Sequence, residues 1–256
     1  MSKHFTKSFN PLNWQAEPQD LTGNDTNFGI RAVETTQRYI YGTRHITWDG
    51  RVFKYSNAVA ACYSYHGANA AEAGVVSYTA NPLAGFAGDR HATITVASRS
   101  EDDLAGGYFV MFDNSGTDTT FCFGITGNDA TSGTTTKVYL DGAIPVASTV
   151  SDYHELYENP YRELTEATDS YCAWMGVPAM TAAATYKFWC QTWGPAYISG
   201  GETIDTPAAD SRTVVWGSNA SLFKIATKVS GQIAGYILNN GSTTIPGPLI
   251  MLMCST

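Results

Sequence analysis

From residue 37 onward, apolar and polar positions alternate in short runs, the period-2 signature of half-buried β-strands. Tyr39-Ile40-Tyr41 through Ile46-Thr47-Trp48 is rich in aromatic and β-branched residues. Asp49-Gly50 follows, a strong signal for a two-residue hairpin turn in which both central residues need positive φ. The return run Arg51-Val52-Phe53-Lys54-Tyr55 puts Phe53 and Tyr55 on one face and Val52 and Lys54 on the other. Further short strands are expected over Val75–Thr79, Ala92–Ser98, Gly107–Phe112, Thr120–Ile125 and Thr134–Leu140, separated by Gly/Asn/Asp turns. After them come Tyr186–Trp193, ended by Gly194-Pro195, then Arg212–Trp216, Leu222–Lys228, Gln232–Leu238 and Leu249–Met253. The last two flank Asn239-Asn240-Gly241 and read as a terminal hairpin.

Two segments depart from this rhythm. Residues 58–73 are alanine-rich and predict a short helix broken at Gly67. Residues 151–169 gather acids around Asn159-Pro160 and read as a partly helical connection between two β halves. The expectation is an all-β protein, a β-sandwich or barrel, as one domain or two β subdomains. The divisions are an N-terminal arm (1–36), a β-rich domain (37–150), a connecting segment (151–185) and a C-terminal β-rich region (186–256). The arm carries scattered Pro, Gly and Asn, with Phe9, Trp14 and Phe28 as its apolar anchors. A frayed terminus and an arm that orders on a neighbouring subunit both fit that composition.

The 256 residues are enough for a full core. Only 15% are charged, so the polar surface must be mostly Ser, Thr, Asn and Gln, which costs little to desolvate against a neighbour. The net charge of −8 and the lack of any Lys/Arg run argue against direct nucleic-acid binding and against a polybasic membrane anchor. No apolar run reaches membrane-spanning length. Cys62, Cys122, Cys172, Cys190 and Cys254 are odd in number and without CxxC spacing. They read as small buried hydrophobes in a reducing cytoplasm, not as a zinc site or a disulfide framework. The start Met1-Ser2-Lys3-His4-Phe5-Thr6 lacks the apolar stretch of a signal peptide, so synthesis in the cytoplasm is expected.

Candidate chemistry is sparse. His154-Glu155-Leu156-Tyr157-Glu158 falls one residue short of the HExxH zinc motif, with Pro160 crowding any helix that would present it. Asp113-Asn114-Ser115-Gly116-Thr117-Asp118 opens like a calcium loop but lacks its sixth-position Gly and twelfth-position Glu, and reads as a turn. His45, His66 and His91 are isolated, and no nucleophile elbow, phosphate loop or dinucleotide fingerprint occurs. The expectation is a non-enzyme with no metal and no cofactor, although a triad assembled from distant positions leaves no local motif. In a regular strand Trp189 and Trp193 share a face opposite Phe188. That face suits core or subunit packing, with sugar stacking as its other use. Phe9, Trp14, Phe28, Trp189 and Trp193 are thus the candidate interface residues.

The order of these segments carries a resemblance. Asp49-Gly50-Arg51-Val52-Phe53-Lys54-Tyr55 resembles a "DGRVFRY" hairpin of tailed-bacteriophage virion proteins. Segments like Gly107-Tyr108-Phe109-Val110, Val138-Tyr139-Leu140-Asp141, Glu158-Asn159-Pro160-Tyr161 and the aromatic run 186–195 follow in those proteins, then a strand-rich piece like 231–252. From about residue 37 to the end, the chain resembles capsid decoration (cement) proteins and related head-associated proteins. The resemblance implies a β-rich fold on the outer capsid surface, often trimeric, that clamps major capsid subunits and carries no catalytic residues. The alanine-rich 58–73 and acidic 151–169 depart from the pattern. The alternative within virions is a tail, fibre or spike component that binds host-surface glycans.

Overall fold

The computed structural model describes residues 29–70, 77–80, 87–113, 119–147, 152–166, 173–201, 204, 212–224, 231–239 and 247–255. Most of the expected arm, with Phe9, Trp14 and Phe28, lies outside the described residues, as does Cys172. In chain order the strands are β1 (Arg44–Ile46), β2 (Val52–Asn57), β3 (Ala68–Ala70), β4 (Ser77–Ala80), β5 (His91–Thr95), β6 (Tyr108–Asp113), β7 (Thr119–Asn128) and β8 (Thr135–Leu140). They continue with β9 (Tyr153–Tyr157), β10 (Leu164–Thr165), β11 (Trp174–Pro178), β12 (Lys187–Tyr197), β13 (Thr213–Trp216), β14 (Leu222–Lys224), β15 (Ile233–Asn239) and β16 (Leu249–Met253). The one helical element among the described residues is a single 3-10 turn, Ser218–Ala220. The protein is all-β, built on two curled, half-barrel antiparallel sheets.

The sheets belong to two compact units, one inserted into the other. The first unit combines residues 1–72 with 161–256, and the inserted unit is 73–160. This differs from the linear division expected from composition. Residues 151–185 do not form a connection: β9 is an inner strand of the inserted unit, while β10 and β11 belong to the first. The reason is legible in the side chains. His154 and Leu156 are buried while Tyr153 is exposed and Glu155 and Tyr157 are half-buried, a period-2 pattern that the local cluster of acids obscures.

The inserted unit is a six-stranded sheet in the order β4-β9-β6-β7-β8-β5. Alternate residues of its strands, Phe109 and Met111, Val138 and Leu140, Leu156 and Ile125, meet in one apolar cluster. Its long turn before β6 is pinned by Asn128, whose Oδ1 accepts from Leu104 N at 2.7 Å and whose Nδ2 donates to Ser100 O at 2.9 Å. Arg99 pairs with the largely buried Glu158, next to the exit at Pro160.

In the first unit a ten-stranded sheet follows the path β10-β3-β11-β12-β16-β15-β13-β14, with β2 on β12 and β1 on β2. β12 is the spine. Phe188 and Cys190 face one cluster with Ala58, Cys62, Ala68, Leu164 and Ala182. Trp189 faces another with Ile30, Phe53 and Tyr55. The predicted helix at 58–73 is absent over its described part: Ala58 and Cys62 make isolated bridges to Leu164 and Ala182, and β3 follows. Their small side chains let this segment lie close under β12, a tertiary gain that overrides alanine's helix propensity. Gly67 shows how close the packing is, since a Cβ there would meet Trp216 at 2.6 Å and Trp174 at 2.8 Å. The segment around Glu34 is also tied in, because Glu34 and Lys187 exchange backbone hydrogen bonds at 3.0 and 2.7 Å.

The insertion leaves and re-enters the first unit at neighbouring points. Ala70 and Leu164 are direct partners between β3 and β10, so the two ends stand ~5 Å apart at that pair. Replacing 73–160 by a short Gly/Ser linker is therefore expected to leave the first unit folded. All 6 tryptophans lie outside 73–160, so their fluorescence reports the first unit alone. The expected result is buried-type emission and a cooperative urea transition; red-shifted emission without a transition would show that the first unit needs its insert.

Candidate docking surface

The hairpin signal at Asp49-Gly50 produces a different turn from the one its two residues suggest. Thr47 N donates to Arg51 O and Gly50 N to Thr47 O, both at 2.9 Å, and Ile46 pairs with Val52. Among the turn residues only Gly50 has positive φ, at 82°. This is a three-residue loop closed by a glycine in the left-handed region. The extra residue puts Trp48 at the apex, where it is 85% exposed. The loop beneath it is braced by the Asp49 carboxylate, which accepts from Thr47 Oγ1 and from Arg51 Nε at 2.7 Å. Burial alone would push the Asp49 carboxyl up, but these bonds, the Arg51 backbone N–H and the Arg51 charge together hold it below its usual range. A large apolar ring is thus presented on a stiff support.

A second apolar surface lies on the outward side of β12, β16 and β15. The register sets Trp193 beside Met253, Pro195 beside Met251 and Tyr236, and Tyr197 beside Leu249. Tyr197, Tyr236, Leu249 and Met253 are exposed, as are Ile233 and Leu238 at irregularities of β15. Six side chains of this size, each about two-fifths exposed, offer roughly 500 Å² of apolar surface, the upper part of the range found on ordinary monomers. β15 and β16 contain no charged residue. The opposite side of the same strands, Ile237, Ile250 and Leu252, fills the core with Trp174 and Trp216.

β12 does not end at Gly194-Pro195 as expected. β2 stops pairing at Val52, opposite Trp193, so the strand beyond has lost that ladder and tolerates a residue with no N–H. At the same point the register shifts: Gln191 pairs with Phe53, but Trp193 with Val52. One extra residue, Thr192, reverses the alternation. Trp193 therefore lies on the face opposite Trp189, correcting the shared face expected of a regular strand. Trp189 is 3% exposed and packed against Tyr39 and Tyr55, so it is core and not interface. Trp193, half-buried, joins the outward face. Phe9, Trp14 and Phe28 lie outside the described residues. The sequence marks out no side chain on β15 or β16, although the pair reads as a hairpin. Ile233, Tyr236 and Leu238 could have been found by noticing that both faces of these strands are apolar.

The near-miss chemistry takes ordinary structural form. His154 is buried in β9 and stacks on Phe109 with ring centroids 5.4 Å apart. The helix that an HExxH site requires is replaced by a strand. Asp113 closes β6, and 114–118 lie outside the described residues. Among the described residues no group of three or more His, Cys, Asp or Glu could hold a metal. One pairing invisible in sequence is His66 with Glu166, Nδ1 to Oε1 at 2.7 Å. Cys62 lies near enough to feel Glu166, but its thiol is pushed up to about 12, by burial first and by Glu166 second. A protonated, enclosed thiol is the reverse of an activated nucleophile. Burial also raises the Cys190 thiol, and raises that of Cys254 to about 12. Cys122 is exposed. No helix among the described residues is long and apolar enough to cross a membrane.

No protein family, curated protein or solved structure matches the chain.

Proposed function

We propose that the chain is a virion structural protein, a capsid decoration or cement protein that stabilises a phage head by binding major capsid subunits. It acts by binding and not by catalysis. The observation that carries this reading is the uncharged apolar face of β12, β16 and β15, with Trp48 on its braced loop as a second anchor. A face of roughly 500 Å² falls short of the ~800 Å² per partner of a standard stable interface. Alone it would bind weakly. Repeated on a lattice, and joined by further contacts from associated copies, weak faces give strong attachment. That is the economy of a cement protein, and the resemblance supplies the outer capsid surface and the trimeric state.

The protein is expected at a fixed ratio to the major capsid protein in gradient-purified virions of the phage that encodes it. Antibody labelling of intact particles should find it outside the shell. Purified particles that lack it altogether would end this reading. A tail, fibre or spike position predicts labelling away from the head instead.

A further inference from the structure

A groove of about 330 Å³ opens in the first unit. Its lining includes Arg31, Arg51, Phe53, Tyr65 and Gln191, with no Asp or Glu among the described residues. In a chain with only 15 Lys plus Arg against 23 acids, the convergence of two guanidinium groups on one groove calls for a physical account.

Arg31 is exposed and has no ion-pair partner among the described residues. Arg51 uses Nε on Asp49 and lies 5.5 Å over the ring of Phe53, which leaves its Nη groups without a partner among the described residues. Gln191 supplies the third element. It is only 8% exposed, and its Nε2 donates to Trp193 O at 3.2 Å and Pro195 O at 2.9 Å. Those two bonds fix the amide's orientation, so Oε1 is an acceptor, unpartnered among the described residues, on a side chain that lines the groove. The same register shift that moved Trp193 outward brings these carbonyls within reach of Gln191.

The ligand must satisfy three demands at once. It carries an anionic group for two guanidinium groups. It offers an O–H or N–H donor to Gln191 Oε1. It presents an apolar side to Phe53, Val177 and Ala196, and its size matches the small end of ligand pockets, which begins at ~300 Å³. A bare phosphate fails the third demand, having no apolar side, and a neutral sugar fails the first. We propose that this groove binds an acidic sugar residue, its carboxylate on Arg31 and Arg51 and a hydroxyl or amide donor on Gln191. The groove borders the apolar face and shares Pro195 and Tyr197 with it, but Arg31, Arg51 and Gln191 are not part of that face, so variants at these residues test this proposal separately from the decoration reading.

The test is saturation-transfer NMR with titration on the full chain. The probes are glucuronic acid and N-acetylneuraminic acid, with glucose and N-acetylglucosamine as neutral controls. Inorganic phosphate serves as a bare anion, and a synthetic peptide of residues 14–28 as an acidic segment. At least one acidic sugar should bind about tenfold or more tighter than the neutral sugars. Arg31→Gln should weaken it by about tenfold, with the thermal midpoint unchanged because Arg31 is exposed and has no ion-pair partner among the described residues. The proposal is overturned if neither acid binds, if neutral sugars or phosphate bind as well, or if Arg31→Gln changes nothing. It is equally overturned if the peptide outcompetes both acids, which would make the groove a peptide site.

Discussion

Trp216→Ala is expected to destabilise the first unit by about 3–5 kcal/mol, the range for deleting a fully buried large aromatic. Trp216 is fully buried and stacks on Trp174 with centroids 5.1 Å apart and planes 22° from parallel. Both rings also close over Gly67, so three chain segments depend on one contact. Trp174 is held from the other side by Gln232, whose Oε1 accepts from Trp174 N and whose Nε2 donates to Trp174 O, both at 2.8 Å. The site cannot collapse around the lost ring without breaking that pair, which places the cost at the upper end. Urea denaturation followed by tryptophan emission measures it. A coupled variant sharpens the test. Gly67→Ala alone should cost about 1–3 kcal/mol by overpacking. In the Trp216→Ala background the same methyl fills part of the void, so the double variant should be more stable than the sum of the singles predicts. Strict additivity would show that Gly67 and Trp216 do not share a packing site.

The strands of this fold were legible because most of them obey one local rule. His91–Thr95, Thr135–Leu140 and Thr213–Trp216 sit within a residue or so of the runs that alternation marks out, apart from a shorter β5 end. Irregular positions were hidden for the same reason. Thr192 is an unremarked threonine in sequence, yet as the extra residue of a bulge it moves Trp193 from one face of β12 to the other. The alanine-rich segment looked helical because local propensity does not know that β12 lies above it. The acids of 151–169 resemble a connection because their density masks the alternation in which Tyr153, Glu155 and Tyr157 face away from the buried His154 and Leu156. The insertion itself leaves no local mark: nothing near Ala70 or Leu164 announces that they are neighbours across the residues between them.

The candidate sites divide along the same line. Trp48 was legible as part of a turn, but its apex position follows from a loop one residue longer than Asp49-Gly50 alone suggests. The apolar face was half legible, since the strands were found but their second apolar side was not used. The groove was illegible, because Arg31, Arg51 and Gln191 come from three distant places and only the curl of the sheet gathers them. Aromatic richness pointed to Trp189 and Trp193 together. Burial separates them, leaving one in the core and one at the surface.

Charging the outward face is expected to abolish attachment while sparing the fold. Tyr236→Lys and Met253→Lys place two ammonium groups on β15 and β16, which carry no charge. Both side chains are exposed, so each change should alter stability by no more than about 0.5 kcal/mol. Docked against a partner, each buried ammonium would lose its water with no acid of this face to pair it. Loss of central anchors of this kind costs ~2–4 kcal/mol, or roughly 30- to 1,000-fold in affinity per site. Because lattice attachment multiplies weak contacts, the loss compounds across associated copies. Trp48→Ser probes the second anchor separately, and its braced loop should keep its shape because Trp48 supplies no side-chain bond to it. The measurement is binding of each variant to particles stripped of the protein, by sedimentation at several concentrations, beside its thermal midpoint. A double-lysine variant that decorates particles as well as the parent would remove the face from the docking surface. Normal decoration by Trp48→Ser alone would restrict docking to the sheet. Loss in both, with thermal midpoints intact, would make the hairpin tip and the sheet face parts of one binding surface.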